Sequence, residues 1–215
     1  MSKVKKSYAP TQAPRKKPGA PSKAKRSQRR RIYLWAGAGA VLVLLIGLAI
    51  YANVRRTIPV EGQETFATQG NAHIGADAPN AFVYNSTPPT SGPHYPNTAQ
   101  WGISSQPQPY EYLLHNLEDG GVVIYYQCPE GCADTVAALT EVVQPLLAAN
   151  RRLILTPNDP TWVDAGGQPL HRDMGAPIAV TAWGRLLKLD NVDVPRIQAF
   201  ISKYEGINNH APGAG

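Results

Sequence analysis

The chain has 215 residues, 43% of them hydrophobic and 17% charged, with 21 lysines and arginines against 15 aspartates and glutamates. The formal net charge of +6 hides an asymmetry: residues 1–31 carry twelve basic residues and no acid, whereas residues 57–215 carry seven bases and fifteen acids, a net of −8. That distribution excludes a basic nucleic-acid-binding fold, because the positive charge sits in an arm without a stacking platform or scaffold, and no nucleic-acid partner is expected.

Residues 1–31 read as a disordered basic arm, since Pro10, Pro14, Pro18 and Pro21 alternate with Ser, Ala, Gly and Lys and leave too little apolar surface to order it. Residues 32–54 follow as an uncharged, mostly apolar run. Twenty helical residues rise about 30 Å, the thickness of a bilayer's hydrocarbon core, so this run is expected to be a single transmembrane helix. Tyr33, Trp35 and Tyr51 lie near its ends, where aromatic rings favour the headgroup level and act as membrane anchors. Arg29, Arg30 and Arg31, with Lys23, Lys25 and Arg26 behind them, outnumber Arg55 and Arg56 on the other flank. The positive-inside rule then keeps the arm in the cytoplasm and the C-terminal domain outside the cytoplasmic membrane. The run exceeds the roughly 7–15 residues of a signal-peptide core and no small-x-small cleavage site follows, so it is read as an uncleaved anchor.

Residues 55–80 are polar and glycine-containing and read as a stalk. Residues 81–206 form the expected extracytoplasmic domain. It opens on a long proline-rich loop, Tyr84–Pro109, in which proline removes donors and fixes φ. Glu111–His115 and Val122–Tyr126 read as strands joined by an Asp119-Gly120-Gly121 turn. Asp134–Ala149 reads as a helix, with Val136, Leu139, Val143, Leu146 and Leu147 on one stripe. Arg152–Thr156 is a short strand, and Ile178–Leu189 is one strand or two broken at Gly184. Val194–Tyr204 is a helix capped by Asp193, with Pro195 in its first turn. Residues 207–215 read as a loose tail. The expected class is α+β: a small, largely antiparallel sheet with two helices on one face, after the transmembrane helix.

Three blocks, YNSTPPTSGPHYP (84–96), LLHNLEDGGVVIYY (113–126) and IAVTAWGRLLKLDN (178–191), together resemble the bacterial domain-of-unknown-function 3105 family, with its PP-x-x-GPH loop, its V-H-x-L-E-H-G turn and its A-W-G-R strand. The resemblance implies a membrane-anchored or secreted protein and assigns no activity. Asp119 stands where the family turn usually carries histidine.

His73, His94 and His115 fall in blocks that resemble the family's histidine-bearing motifs, and Asp119 follows His115 by four positions. Imidazole is the commonest protein metal ligand, and a set of His73, His94, His115 and Asp119 would suit zinc or copper. Against this, the spacing matches no established metal motif, and a loop histidine often bonds only backbone. Glu118 and Asp119 beside His115 have the chemistry for acid–base work, but no nucleophile elbow, phosphate loop or glycosidase spacing surrounds them, so a hairpin turn is favoured and an enzyme is not.

Cys128 and Cys132, the chain's two cysteines, form C-P-E-G-C between an apolar strand and a helix. Outside the cytoplasm a structural disulfide is the favoured reading. The segment also resembles the C-P-x-x-C motif of Sco-type copper chaperones, whose fold is thioredoxin-like, which would require His171 or His210 as a distal imidazole. Disulfide exchange is the third reading. Three functions therefore stay open: a tethered binding module for a metal or a protein partner, an outward-facing thiol–disulfide oxidoreductase or copper-handling protein using Cys128 and Cys132, and a structural envelope interaction protein.

Overall fold

A computed structural model describes residues 23–75, 82–128 and 131–210. The chain divides into two compact units, Met1–Thr57 and Ile58–Gly215.

The described residues of the first unit form one helix, α1 (Lys23–Thr57), of 35 residues. Its Arg31–Tyr51 stretch is long and apolar enough to cross a membrane, with a mean hydropathy of 2.2 and none of that window buried. Tyr33, Trp35 and Tyr51 are exposed along it. The helix starts at Lys23, inside the segment expected to be disordered arm. Lys, Ala, Arg and Gln are good helix formers, and a nucleated helix propagates through them at little cost. The rest of the arm, residues 1–22, lies outside the described residues.

The second unit is built on a six-stranded mixed sheet of order β1-β6-β5-β3-β4-β2. Its strands are β1 (Gln63–Thr65), β2 (Gly102–Ile103), β3 (Val122–Tyr126), β4 (Leu153–Pro157), β5 (Ile178–Ala182) and β6 (Arg185–Leu189). The β1–β6, β6–β5 and β5–β3 pairs are antiparallel, whereas β3–β4 and β4–β2 are parallel. Among the described residues three helices accompany it: α2 (Tyr110–Glu118), α3 (Ala133–Ala148) and α4 (Val194–Tyr204). The α+β class is as expected, and Ile178–Leu189 is two strands turning at Gly184, whose φ is +68°.

Alternation along β3 sets the two cores. Val122 and Ile124 face a cluster with Leu139 and Val143 of α3 and Ile197, Phe200 and Ile201 of α4. Val123 and Tyr125 face the other side, against Tyr110, Leu113, Leu114 and Leu117 of α2. Each such fully buried side chain is worth about 1.5–3 kcal/mol relative to exposure. The two expected helices, α3 and α4, share one face, and a further helix, α2, takes the opposite one.

The segment 111–115, expected to be a strand, is the middle of α2. Tyr110 and Tyr112 of α2 suggest β, but Tyr110, Leu113, Leu114 and Leu117 are buried at i, i+3, i+4 and i+7, and burying that stripe decides the conformation. The stalk expected over 55–80 is also corrected in part. Gln63–Thr65 pairs with β6, and the Gln69 side chain ties to Asn85 and Val83, so this stretch belongs to the folded unit. Asp193 caps α4 as expected, accepting from the Arg196 backbone N–H at 3.1 Å, a contact typically worth about 1 kcal/mol.

The tail expected to be loose is anchored as far as His210. Gly206 N–H donates to Gly120 O at 2.7 Å and Asn209 N–H to Glu118 O at 2.9 Å. Gly120, at φ +83°, makes this possible: a Cβ there would meet Ile207 O at 2.7 Å. Residues 211–215 lie outside the described residues.

Candidate metal centre

Three histidines distant in sequence converge beside the C-terminal end of α2. Backbone pairing brings in the first two. His94 N–H donates to Ala72 O at 3.0 Å and Ile74 N–H to His94 O at 2.8 Å, so His73 and His94 lie side by side on adjacent extended segments. The proline-rich loop that carries His94 is not a surface strap: Pro88–Gly92 is buried, and Thr90 O accepts from Gly184 N–H at the β5–β6 turn. α2 supplies His115. The ring centroids form a near-equilateral triangle, with His73–His94 at 5.0 Å and His73–His115 and His94–His115 at 5.1 Å. One ligand nitrogen from each lies within 4.8 Å of the others.

Hydrogen bonds to the far side of two rings fix their tautomers. His94 Nδ1 lies 2.9 Å from Gly92 O and His115 Nδ1 lies 2.8 Å from Tyr95 O. A carbonyl only accepts, so both Nδ1 atoms carry the proton. In the neutral rings each Nε2 then holds a lone pair, the arrangement by which second-shell carbonyls orient metal-binding histidines. Burial pushes the His94 pKa below its ordinary value, outweighing the opposing pull of Gly92 O and Glu118, and so favours the neutral form.

Glu118 completes the constellation. Its side chain is 1% exposed and its carboxylate is ringed by donors and imidazoles. Oε1 accepts from Asn71 Nδ2 at 2.6 Å and lies 3.2 Å from His210 Nδ1. Oε2 lies 3.0 Å from His94 Nε2 and 3.9 Å from His73 Nε2. With His94 neutral and its Nδ1–H committed to Gly92, Nε2 and Oε2 are two acceptors at hydrogen-bond distance. They attract only if a proton or a cation is shared between them.

A transition-metal ion fits that chemistry. Zn–N bonds of about 2.0–2.1 Å in a tetrahedral site place ligand nitrogens about 3.3–3.4 Å apart, so each ring would close by about 1 Å or less. His94 is fully buried and rigidly held, whereas His73 is 48% exposed and leaves one side open to solvent. Three imidazoles and a carboxylate suit Zn(II) or Cu(II).

Of the residues singled out in the sequence, His73, His94 and His115 are brought together, but the Asp119 carboxylate is turned elsewhere. Asp119 is the C-cap residue of α2, and its Oδ1 lies 2.9 Å from His210 Nε2 on the docked tail. The carboxylate that reaches the imidazoles is Glu118, three residues after His115 and on the same helical face. Reading 110–118 as a helix would have shown this spacing, whereas a strand-and-turn reading hides it. Nothing in the sequence places His210 or Asn71 at this cluster. Both His210 nitrogens face carboxylate oxygens, which raises its pKa above the ordinary value, chiefly through the hydrogen bond to Asp119.

Cys128 and Cys132 are joined as a disulfide with a Cα–Cα distance of 5.7 Å. The distal imidazole that a copper-chaperone site needs is not supplied by either candidate. His171 is buried, accepts from Asp159 N–H at Nδ1 and donates from Nε2 to Gln108 O, while His210 serves Glu118 and Asp119.

No curated protein and no solved structure matches the chain. A family model described as a protein of unknown function matches residues 76–215, which span His94, His115, Glu118, both cysteines and the docked tail. The chain belongs to that family, DUF3105.

Proposed function

We propose that this protein is a membrane-tethered extracytoplasmic module that binds a transition-metal ion through His73, His94 and His115, with Glu118 as the charge-balancing carboxylate. One observation carries the reading: three imidazoles bring ligand nitrogens within 4.8 Å of one another, two of them are oriented by Nδ1–H donation to backbone carbonyls, and the buried one lies 3.0 Å from a buried carboxylate. The ion would be Zn(II) or Cu(II), held at a half-open site from which a ligand or partner can reach it past His73. α1 anchors the module in the bilayer, with the basic arm on the cytoplasmic side, where it is attracted to anionic headgroups.

Metal analysis of the full chain purified in detergent tests this. The reading expects about one equivalent of bound metal, lost in His94→Ala and His115→Ala. A metal-free preparation whose melting temperature ignores added Zn(II) and Cu(II) contradicts it. Orientation is tested separately by C-terminal reporter fusions, which should be active only outside the cytoplasm.

A further inference from the structure

The Cys128–Cys132 disulfide lies at the other end of β3 from the histidines. α2 runs back along that strand, with its Tyr110 ring 6.1 Å from Tyr125 and its Glu118 end leading through Gly120 and Gly121 into Val122. The cysteines follow the carboxyl end of β3, and Cys132 is the N-cap residue of the 16-residue helix α3. β3, α3 and β4 form a crossover between parallel strands, and β3 is where the sheet switches from parallel pairing with β4 to antiparallel pairing with β5. In open α/β sheets ligands bind in the crevice outside the carboxyl ends of the parallel strands. A cysteine pair on a βαβ unit at a helix N-terminus is a redox motif with a mechanism, because the N-terminal N–H groups stabilise a thiolate.

Open space surrounds the disulfide in the same region. A cleft of about 550 Å³ is lined by both cysteines with Tyr126, Pro157, Asn158 and Asp159. A second, of about 530 Å³, is lined by both cysteines with Asp134, Pro177 and Asp190. Gln127 N–H is bonded to Pro177 O, so the approach to β5 is held beside the sulfurs. Asp159 and Asp173 in the first cleft and Asp134 and Asp190 in the second are acidic, and among the described residues neither lining contains a lysine or arginine.

We propose that Cys128 and Cys132 are an exchangeable redox pair that reacts with a cysteine-bearing, cationic segment of another polypeptide laid across these clefts. A thiolate of the partner attacks one Sγ of the pair, forming an intermolecular disulfide and expelling the other sulfur as a thiolate. A second partner thiol then attacks the partner's own bridged sulfur. The partner leaves with its disulfide formed, and Cys128 and Cys132 leave as a dithiol holding the two electrons and two protons. The reverse sequence reduces a partner disulfide. The aspartates oppose a thiolate in the free protein, and a lysine-rich partner offsets them on docking.

The test uses the full chain in detergent, a Lys-flanked peptide carrying two cysteines, and a Glu-flanked peptide of the same spacing. In glutathione redox buffers the pair should interconvert between dithiol and disulfide with the thermal transition retained. In Cys128→Ser or Cys132→Ser the remaining cysteine should attack single-cysteine forms of the two peptides, each activated as a mixed disulfide with a small aromatic thiol, expelling that thiol, and with no second cysteine on either side the protein–peptide disulfide persists. One of the two variants should be trapped about tenfold faster than the other, and the Lys-flanked peptide faster than the Glu-flanked one at low salt. A disulfide reducible only after the domain unfolds overturns the proposal, as does trapping no faster than a free cysteine peptide achieves. Equal rates for the two peptides overturn the cationic partner. The double variant Cys128→Ser/Cys132→Ser should bind metal as the wild type does, and His94→Ala should exchange disulfides as the wild type does, so failure of this proposal is distinguishable from failure of the metal reading.

Discussion

Replacing Glu118 by glutamine probes the pairing of two acceptors without changing shape. The amide oxygen can keep the place of Oε1, accepting from Asn71 Nδ2 and facing His210 Nδ1. The amide N–H2 then takes the place of Oε2 and donates to His94 Nε2, 3.0 Å away, turning an acceptor–acceptor contact into an ordinary hydrogen bond. The new bond is worth about 1 kcal/mol, and the lost charge pairing with the partly exposed tail imidazole is of similar or smaller size, so metal-free stability should stay within about 1 kcal/mol of wild type. Metal affinity should fall about 10–100-fold, or about 1.4–2.7 kcal/mol, because the charge that compensates the cation is gone. Glu118→Ala should behave differently. It leaves the half-buried Asn71 amide without its acceptor and opens a cavity where the buried carboxylate stood, and should cost about 2–5 kcal/mol in the metal-free protein. Denaturant unfolding of the metal-free chain, beside competition with a chromophoric chelator for Zn(II), measures both quantities. Unchanged Zn(II) affinity in Glu118→Gln would refute the role given to this carboxylate. So would a metal-free Glu118→Gln as unstable as Glu118→Ala.

His94→Ala and His115→Ala should each lower metal affinity by about 100-fold or more, and His73→Ala, at the exposed corner, should lower it less; the same chelator competition ranks them. Metal binding should persist through neutral pH and weaken only under more acidic conditions, because burial lowers the pKa of His94 and keeps Nε2 free of a proton. The tail should respond in the opposite sense. The folded-state pKa of His210 is raised, so its contribution is fully present below the ordinary histidine value near 6.5 and is lost as pH rises through the folded value. Amide exchange at Ile207–His210 should therefore speed up with pH beyond its intrinsic increase. Gly120→Ala should loosen the same segment at every pH, because its Cβ meets Ile207 O at 2.7 Å at a residue already in the left-handed region.

Where the sequence shows a single period or a single cap, the fold was legible. The stripe of Leu139 and Val143 marked α3, Asp193 marked the start of α4, and the continuous apolar run Val122–Tyr126 marked β3. α2 was misread because aromatic β-propensity and helical spacing compete over only nine residues, and tertiary burial of Tyr110, Leu113, Leu114 and Leu117 decides between them. That error carried into the site. As a turn, 115–119 offers Asp119, whereas as a helix it offers Glu118. The convergence of His73 on His94 depends on a backbone bridge between two irregular segments, and the arrival of His210 depends on the Gly120–Gly206 contact. Neither leaves a periodic trace in the sequence.

X-ray absorption at the zinc or copper edge of the purified, metal-loaded full chain addresses the central claim most directly. The account predicts a first shell dominated by imidazole nitrogen at about 2.0–2.1 Å, lost in the His94→Ala/His115→Ala double variant. A sulfur shell near about 2.3 Å, or an all-oxygen shell that survives the double variant, would contradict it.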